Sequence, residues 1–215
     1  AGMPLVLINL PAGDLLQGGP GLAAVPDRQE AFDAALQEAL TYALMVRPAS
    51  VNVLPGRLAE GVDRELALET LEHNLWKTAD AFDMLGIRVL CEAINPLDMP
   101  GFLINSAADL EALLQRVDHP NCLAQLDFYH MARQQLDLPS CITRLGERIG
   151  HVQFADCPGR GAPRELVQLA DLHSEMRAHR RRLHPVQFSR HPADAGEGHD
   201  RRTQESFPVR QPERN

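Results

Sequence analysis

Lysine is almost absent from the 215 residues: of 21 basic side chains, only Lys77 is a lysine. It falls within a stretch of helical period, so no lysine stands at a strand end where Schiff-base chemistry would need one. Long apolar runs are missing too. No stretch approaches the roughly 20 residues that a membrane span requires, so no membrane partner is expected. No basic segment followed by an apolar h-region opens the chain, which makes a cytoplasmic location the default expectation. The four cysteines, Cys91, Cys122, Cys141 and Cys157, are widely spaced without a C-x-x-C pair. Buried reduced thiols explain them better than zinc or disulfides. No G-x-G-x-x-G turn, P-loop or G-x-S-x-G elbow occurs, which removes the usual sequence signs of dinucleotide, nucleotide and serine-hydrolase sites.

What remains is an ordinary globular composition, with 44% hydrophobic and 23% charged residues. One domain with a sizeable core is the default at this length. The net charge of -8 conceals an asymmetry. Residues 1–160 carry 21 acidic and 11 basic side chains, whereas residues 161–215 carry 8 and 10. An acidic body argues against nucleic-acid binding by that part.

Short β-rich runs alternate with longer stretches of helical period through the first 160 residues, the pattern of repeated βα units and a parallel sheet. The runs are Leu5 to Leu10, Ser50 to Leu54, Ile87 to Cys91, Cys122 to Leu126 and His151 to Ala155. Between them, Asp27 and Glu30 form a capping-box-like pair that opens a helix ending near Pro48. A second helix starts around Asp63, with Gly86 placed to terminate it, and a third is capped by Ser106 and Asp109. A weaker helix follows Pro139. The runs begin about 30 to 45 residues apart, near the roughly 30 per unit of an eight-unit barrel. The fold class expected is therefore α/β, a (β/α)8 TIM barrel of which five units are visible; an open five-stranded sheet is the alternative. Beyond Arg160 the chain turns His/Arg-rich without sustained period and reads as a disordered tail.

In a parallel barrel the site lies at the carboxyl ends of the strands. The polar residues there are Asn9, Asn52, Glu92 with Asn95, Asp127 with His130, and Gln153 with Asp156. Glu92, Asp127 and Gln153 offer hard oxygen donors suited to Mg²⁺ or Mn²⁺ as a cofactor. Taken singly, each is as readily a helix cap or a solvated acid. His130 can bond a substrate oxygen or shuttle a proton, or be a loop histidine of no consequence. Arg160, in Pro158-Gly159-Arg160-Gly161, can aim a guanidinium at a substrate carboxylate or simply be solvated.

Several strings are more specific: Leu7-Ile8-Asn9-Leu10-Pro11-Ala12-Gly13-Asp14, Val51-Asn52-Val53-Leu54-Pro55-Gly56, Glu92-Ala93-Ile94-Asn95, Gln125-Leu126-Asp127-Phe128-Tyr129-His130 and His151-Val152-Gln153-Phe154-Ala155-Asp156. In that order they resemble the hydroxypyruvate isomerase family, of the xylose isomerase-like barrel superfamily, over about residues 3 to 163. The resemblance implies that the visible strands are the third to seventh, with the first two units and the eighth strand missing. It makes residues 1–163 a partial barrel and residues 164–215 a divergent segment, disordered or frameshifted. The family continues after this point with Pro-Gly-Thr-Gly-Glu or similar, and a shifted frame across Arg164-Glu165-Leu166-Val167-Gln168 can spell a close match.

The resemblance also implies Glu92, Asp127 and Gln153 as metal ligands and Glu92 as one of two acid/base glutamates, the other belonging to the eighth strand; Asn95, His130 and Arg160, read from their positions, are the residues expected at the substrate. The implied reaction interconverts hydroxypyruvate and tartronate semialdehyde through an enediolate. Alternatives are an isomerase of a related 2-oxo-tetronate-type sugar acid, or a catalytically inactive truncated remnant; the partners expected are a small hydroxy/oxo acid substrate and other copies of the chain in a homo-oligomer. A metal-dependent DNA-repair nuclease on the same barrel fits the acidic body less well.

Overall fold

Five strands lie side by side in chain order, and every pairing is parallel: β1 (Leu7–Asn9), β2 (Ser50–Val53), β3 (Arg88–Glu92), β4 (Cys122–Asp127) and β5 (Ile149–Phe154). The computed structural model describes residues 4–161 and the backbone of residues 187–188. Those last two residues form β6 (Gln187–Phe188), which pairs in parallel with β5. It is a sixth strand that periodicity did not reveal. The remainder of the expected tail, 164–215, lies outside the described residues. The sheet is a partial α/β barrel whose five main strands are those expected from sequence, with ends adjusted by one to two residues.

The connections are helical: α1 (Gln29–Val46), α2 (Arg64–Asp83), α3 (Ala107–Val117), α4 (Phe128–Arg133) and α5 (Leu138–Leu145). Their starts follow local chemistry. Asp63 caps α2 by accepting from the backbone N–H groups of Glu65 and Leu66. Ser106 and Asp109 exchange side-chain and backbone bonds in a complete capping box. The pair expected at Asp27 and Glu30 does not form. Pro26 starts a 3-10 turn over Pro26–Arg28 that absorbs Asp27, so α1 begins later and has no side-chain cap. α2 stops at Asp83, and Gly86, at φ +67°, turns the chain into β3.

Strand alternation divides the side chains into two sets. Val51, Val53, Val89, Cys91, Ala124, Leu126 and Val152 face the helices and share one core with Phe32 and Leu36 of α1, Leu71, Leu75 and Phe82 of α2, and Leu110, Leu113 and Leu114 of α3. Burying each Leu or Phe there stabilises by about 1.5–3 kcal/mol. Cys91, Cys122 and Cys141 are buried as expected. Cys157 is exposed, because it sits in the turn after β5 and not within an apolar run.

The opposite set, which includes Asn52, Glu92, Gln125, Asp127 and Gln153, faces the barrel interior. One irregularity controls its alignment. Ala124 pairs with Ile149 but Gln125 pairs with His151, leaving Gly150 as an extra residue in β5. A Cβ at Gly150 would lie 2.7 Å from Leu90 Cδ2 and 2.8 Å from Leu123 Cβ, so only glycine fits without displacing both strands. Gly150→Ala is expected to destabilise the protein by about 1–3 kcal/mol, the usual range for overpacking, read as a lowered denaturation midpoint at unchanged m-value. An unchanged midpoint would show that the bulge tolerates a side chain.

Candidate active site at the carboxyl ends of the strands

The carboxyl ends of β3, β4 and β5 bring Glu92, Asp127 and Gln153 onto adjacent strands, with Glu92 beside Gln125 and Asp127 beside Gln153 in register. Glu92 and Asp127 are 5% and 1% exposed, so neither is a solvated acid. Each has one oxygen tied to the scaffold. Glu92 Oε2 accepts from Asn52 Nδ2 at 3.2 Å and from Gln125 Nε2 at 2.8 Å. Asp127 Oδ1 accepts from the backbone N–H of Tyr129 at 2.9 Å, capping α4. Their other oxygens face one side chain: His130 Nε2 is 3.8 Å from Glu92 Oε1 and 3.7 Å from Asp127 Oδ2.

His130 does not lie in a loop. It is buried in α4, a helix too short for periodicity to detect, and α4 holds it over the carboxylates. Asn95 is fully buried, and its Nδ2 lies 2.7 Å from His130 Nδ1. Arg160 reaches the same place from the turn after β5. Its Nη2 is 3.3 Å from His130 Nε2 and 3.7 Å from Asp127 Oδ2, and its guanidinium carbon lies 4.8 Å from the Tyr129 ring centroid. The turn is closed by the Arg160 N–H donating to Asp156 O and the Asp156 N–H donating to Gly161 O, with Arg160 at φ +54°. Asn9, exposed at the end of β1, touches Asn52 but not the carboxylates.

Two participants escaped the sequence reading. Gln125 lies in the middle of β4, and its amide bridges Glu92 and Gln153, donating to Gln153 Oε1 at 3.0 Å. Its signal was present as the one polar residue within Cys122 to Leu126. Asp98, six residues beyond the end of β3, accepts from Tyr129 Oη at 2.7 Å and Asn95 Nδ2 at 3.0 Å. No pattern marked it.

Burial dominates the electrostatics. It raises the Glu92 carboxyl to about 8, with the Asp127 charge adding to the effect. Asp127 is also raised by burial, against the opposing Tyr129 N–H and Arg160. Burial and the nearby Arg160 lower His130 to about 4, leaving a neutral imidazole. His151, deeper in the barrel, is lowered to about 4 by burial and Arg88.

Glu92, Asp127 and His130 each offer an atom within 4.8 Å of the others, close enough to surround one cation. A sequence model described as Xylose isomerase-like TIM barrel matches residues 1–204. The chain belongs to this family. It is 36% identical over 157 residues to the hydroxypyruvate isomerase of Escherichia coli K12, covering 73% of this chain and 61% of that protein. It is 35% identical over 164 residues to the 2-oxo-tetronate isomerase of Pectobacterium atrosepticum, covering 76% and 63%. The chain thus spans less than two thirds of the length of these relatives. A crystal structure described as an AP endonuclease, family 2, from Brucella melitensis superposes with a TM-score of 0.75 at 34% identity, covering 81% of this chain and 67% of that one. No helix among the described residues is long and apolar enough to cross a membrane.

The shifted groups give a pH dependence of opposite signs. Glu92, raised in the fold, contributes stability that is complete below its unfolded pKa of about 4.5 and is lost as pH rises through about 8. His130 and His151, lowered in the fold, contribute stability that is present above about 6.5 and is lost as pH falls towards 4. Between pH ~6.5 and ~8 only the Glu92 slope remains among these three. Chelator-treated protein is therefore expected to melt at a lower temperature as pH rises across that window. Saturating Mg²⁺ or Mn²⁺ should reduce the slope, because a cation favours the ionised carboxylate. Thermal melts at several pH values check this; a flat profile without metal would contradict it.

Proposed function

We propose that this protein is an aldose-ketose isomerase that interconverts hydroxypyruvate and tartronate semialdehyde by proton transfer through an enediolate. The observation that carries the reading is the pair of buried carboxylates, each with one oxygen fixed by the scaffold and one turned towards a common centre. The relatives named above supply the substrate class.

The donor set suits a divalent cation. Glu92 Oε1 and Asp127 Oδ2 are the oxygens that the scaffold leaves available, and Gln153 Oε1 is held near them through Gln125. Glu92, Asp127 and Gln153 would hold Mg²⁺ or Mn²⁺, hard ions that prefer oxygen ligands. Bound there, the ion would supply charge stabilisation for the enediolate oxygens.

The proton chemistry falls to Glu92. Removing a C3 proton from hydroxypyruvate leaves an enediolate across C2 and C3; returning that proton to C2, with the C3 hydroxyl proton passing to the C2 oxygen as the C3 oxygen becomes the aldehyde, gives tartronate semialdehyde. A carboxyl with a pKa of about 8 is poised to exchange protons near neutrality. The family resemblance assigns the other half of this work to a glutamate of the eighth strand, a segment not recognised in this sequence. Arg160, with its side chain 36% exposed at the edge of the site, suits the substrate carboxylate, and His130 suits a substrate oxygen.

An isomerase of a 2-oxo-tetronate is the second reading, favoured by the nearly equal identity to the Pectobacterium enzyme. A nuclease reading has the acidic body against it. Turnover of both sugar acids by the full chain, with and without Mg²⁺ or Mn²⁺, separates the possibilities. Glu92→Gln is expected to lower kcat by about 10²–10⁴-fold, the usual contribution of a general acid or base. Unchanged activity in that variant, or no turnover of either substrate by the parent with metal, would overturn the assignment.

A further inference from the structure

The side-chain amide of Asn95 is fixed in one orientation. Its Oδ1 accepts from the backbone N–H of Asp98 at 2.9 Å, and its Nδ2 donates to Asp98 Oδ2 at 3.0 Å. Turning the amide over would set oxygen against a carboxylate oxygen and NH₂ against a backbone N–H, two repulsive contacts for a fully buried group. The second hydrogen of Nδ2 therefore points at His130 Nδ1, 2.7 Å away. That nitrogen must offer a lone pair, so the ring proton resides on Nε2.

A competing contact exists. Arg160 Nη2 approaches Nε2 at 3.3 Å, donor towards donor, and would favour a lone pair there. It is the weaker constraint, being 0.6 Å longer than the Asn95 contact and made by a side chain that is 36% exposed. The carboxylate oxygens of Glu92 and Asp127 near Nε2 favour a proton at that position.

We infer that Asn95, anchored by Asp98, is a positioning residue that fixes the Nε2-protonated tautomer of His130, so that this imidazole donates a hydrogen bond into the site and does not ligate a cation. Asn95, expected from sequence at the substrate, then acts through His130. Of the three groups close enough to enclose an ion, the imidazole presents N–H and not a lone pair. Its hydrogen bond is available to an oxygen entering the space beside Glu92 Oε1 and Asp127 Oδ2. The identity of that oxygen as the substrate's rests on the isomerase reading; the tautomer does not.

The test is long-range ¹H–¹⁵N correlation at neutral pH on the full chain labelled with ¹⁵N-histidine, with His130→Gln used to assign the signals. The parent should show a single tautomer with protonated Nε2 and unprotonated Nδ1, unchanged when Mg²⁺ is added. Asn95→Asp replaces the donor by an acceptor and should move the proton to Nδ1; Asn95→Ala should give a mixture. A proton on Nδ1 in the parent, or an Asn95→Asp variant that keeps the parent tautomer, would overturn the inference. The parent spectrum decides it even if a variant fails to fold. Because the readout needs no turnover, an inactive protein with the expected tautomer refutes only the isomerase reading.

Discussion

Two carboxylates on neighbouring strands cannot both be buried and charged without something to compensate them, and the arrangement around Glu92 and Asp127 follows from that constraint. Hydrogen bonds from Asn52, Gln125 and the Tyr129 N–H stabilise one oxygen of each. Arg160 brings a positive charge from the turn after β5. Burial still outweighs these partners and keeps Glu92 readily protonated. Such a site favours whatever neutralises it, whether proton or cation.

Much of this was legible in the sequence because barrel geometry turns strand ends into site positions. Once Ile87 to Cys91 and Cys122 to Leu126 read as buried strands, the acids that follow them had to emerge at one mouth. Glu92, Asp127, Gln153, His130, Asn95 and Arg160 do gather there. The failures were local. Asp27 and Glu30 have the spacing of a cap, but Pro26 directs the chain into a 3-10 turn first. α4 spans six residues, too few to show a helical period, so His130 read as a loop residue.

Gln125 and Asp98 illustrate a different limit. Neither ends a strand, and their roles depend on atoms contributed by other segments: Glu92 and Gln153 for one, Tyr129 for the other. Sequence spacing records neighbours along the chain, whereas the contacts of Gln125 with Glu92 and Gln153 and of Asp98 with Tyr129 join separate βα units, 28 to 33 residues apart. Asp127 does two jobs at once, with one oxygen capping α4 and the other in the site. The first job sets the orientation that the second needs.

Gly150 decides which face of β5 is polar. Without the bulge, with Gly150 paired like any other residue, strict alternation from Ile149 would carry Val152 into the barrel mouth and turn Gln153 towards the helices. The amide opposite Asp127 is therefore a product of a one-residue offset in backbone pairing as much as of having glutamine at that position. A lineage that lost the offset would keep every side chain in order along the strand, yet exchange an oxygen donor for a methyl group at its reaction centre.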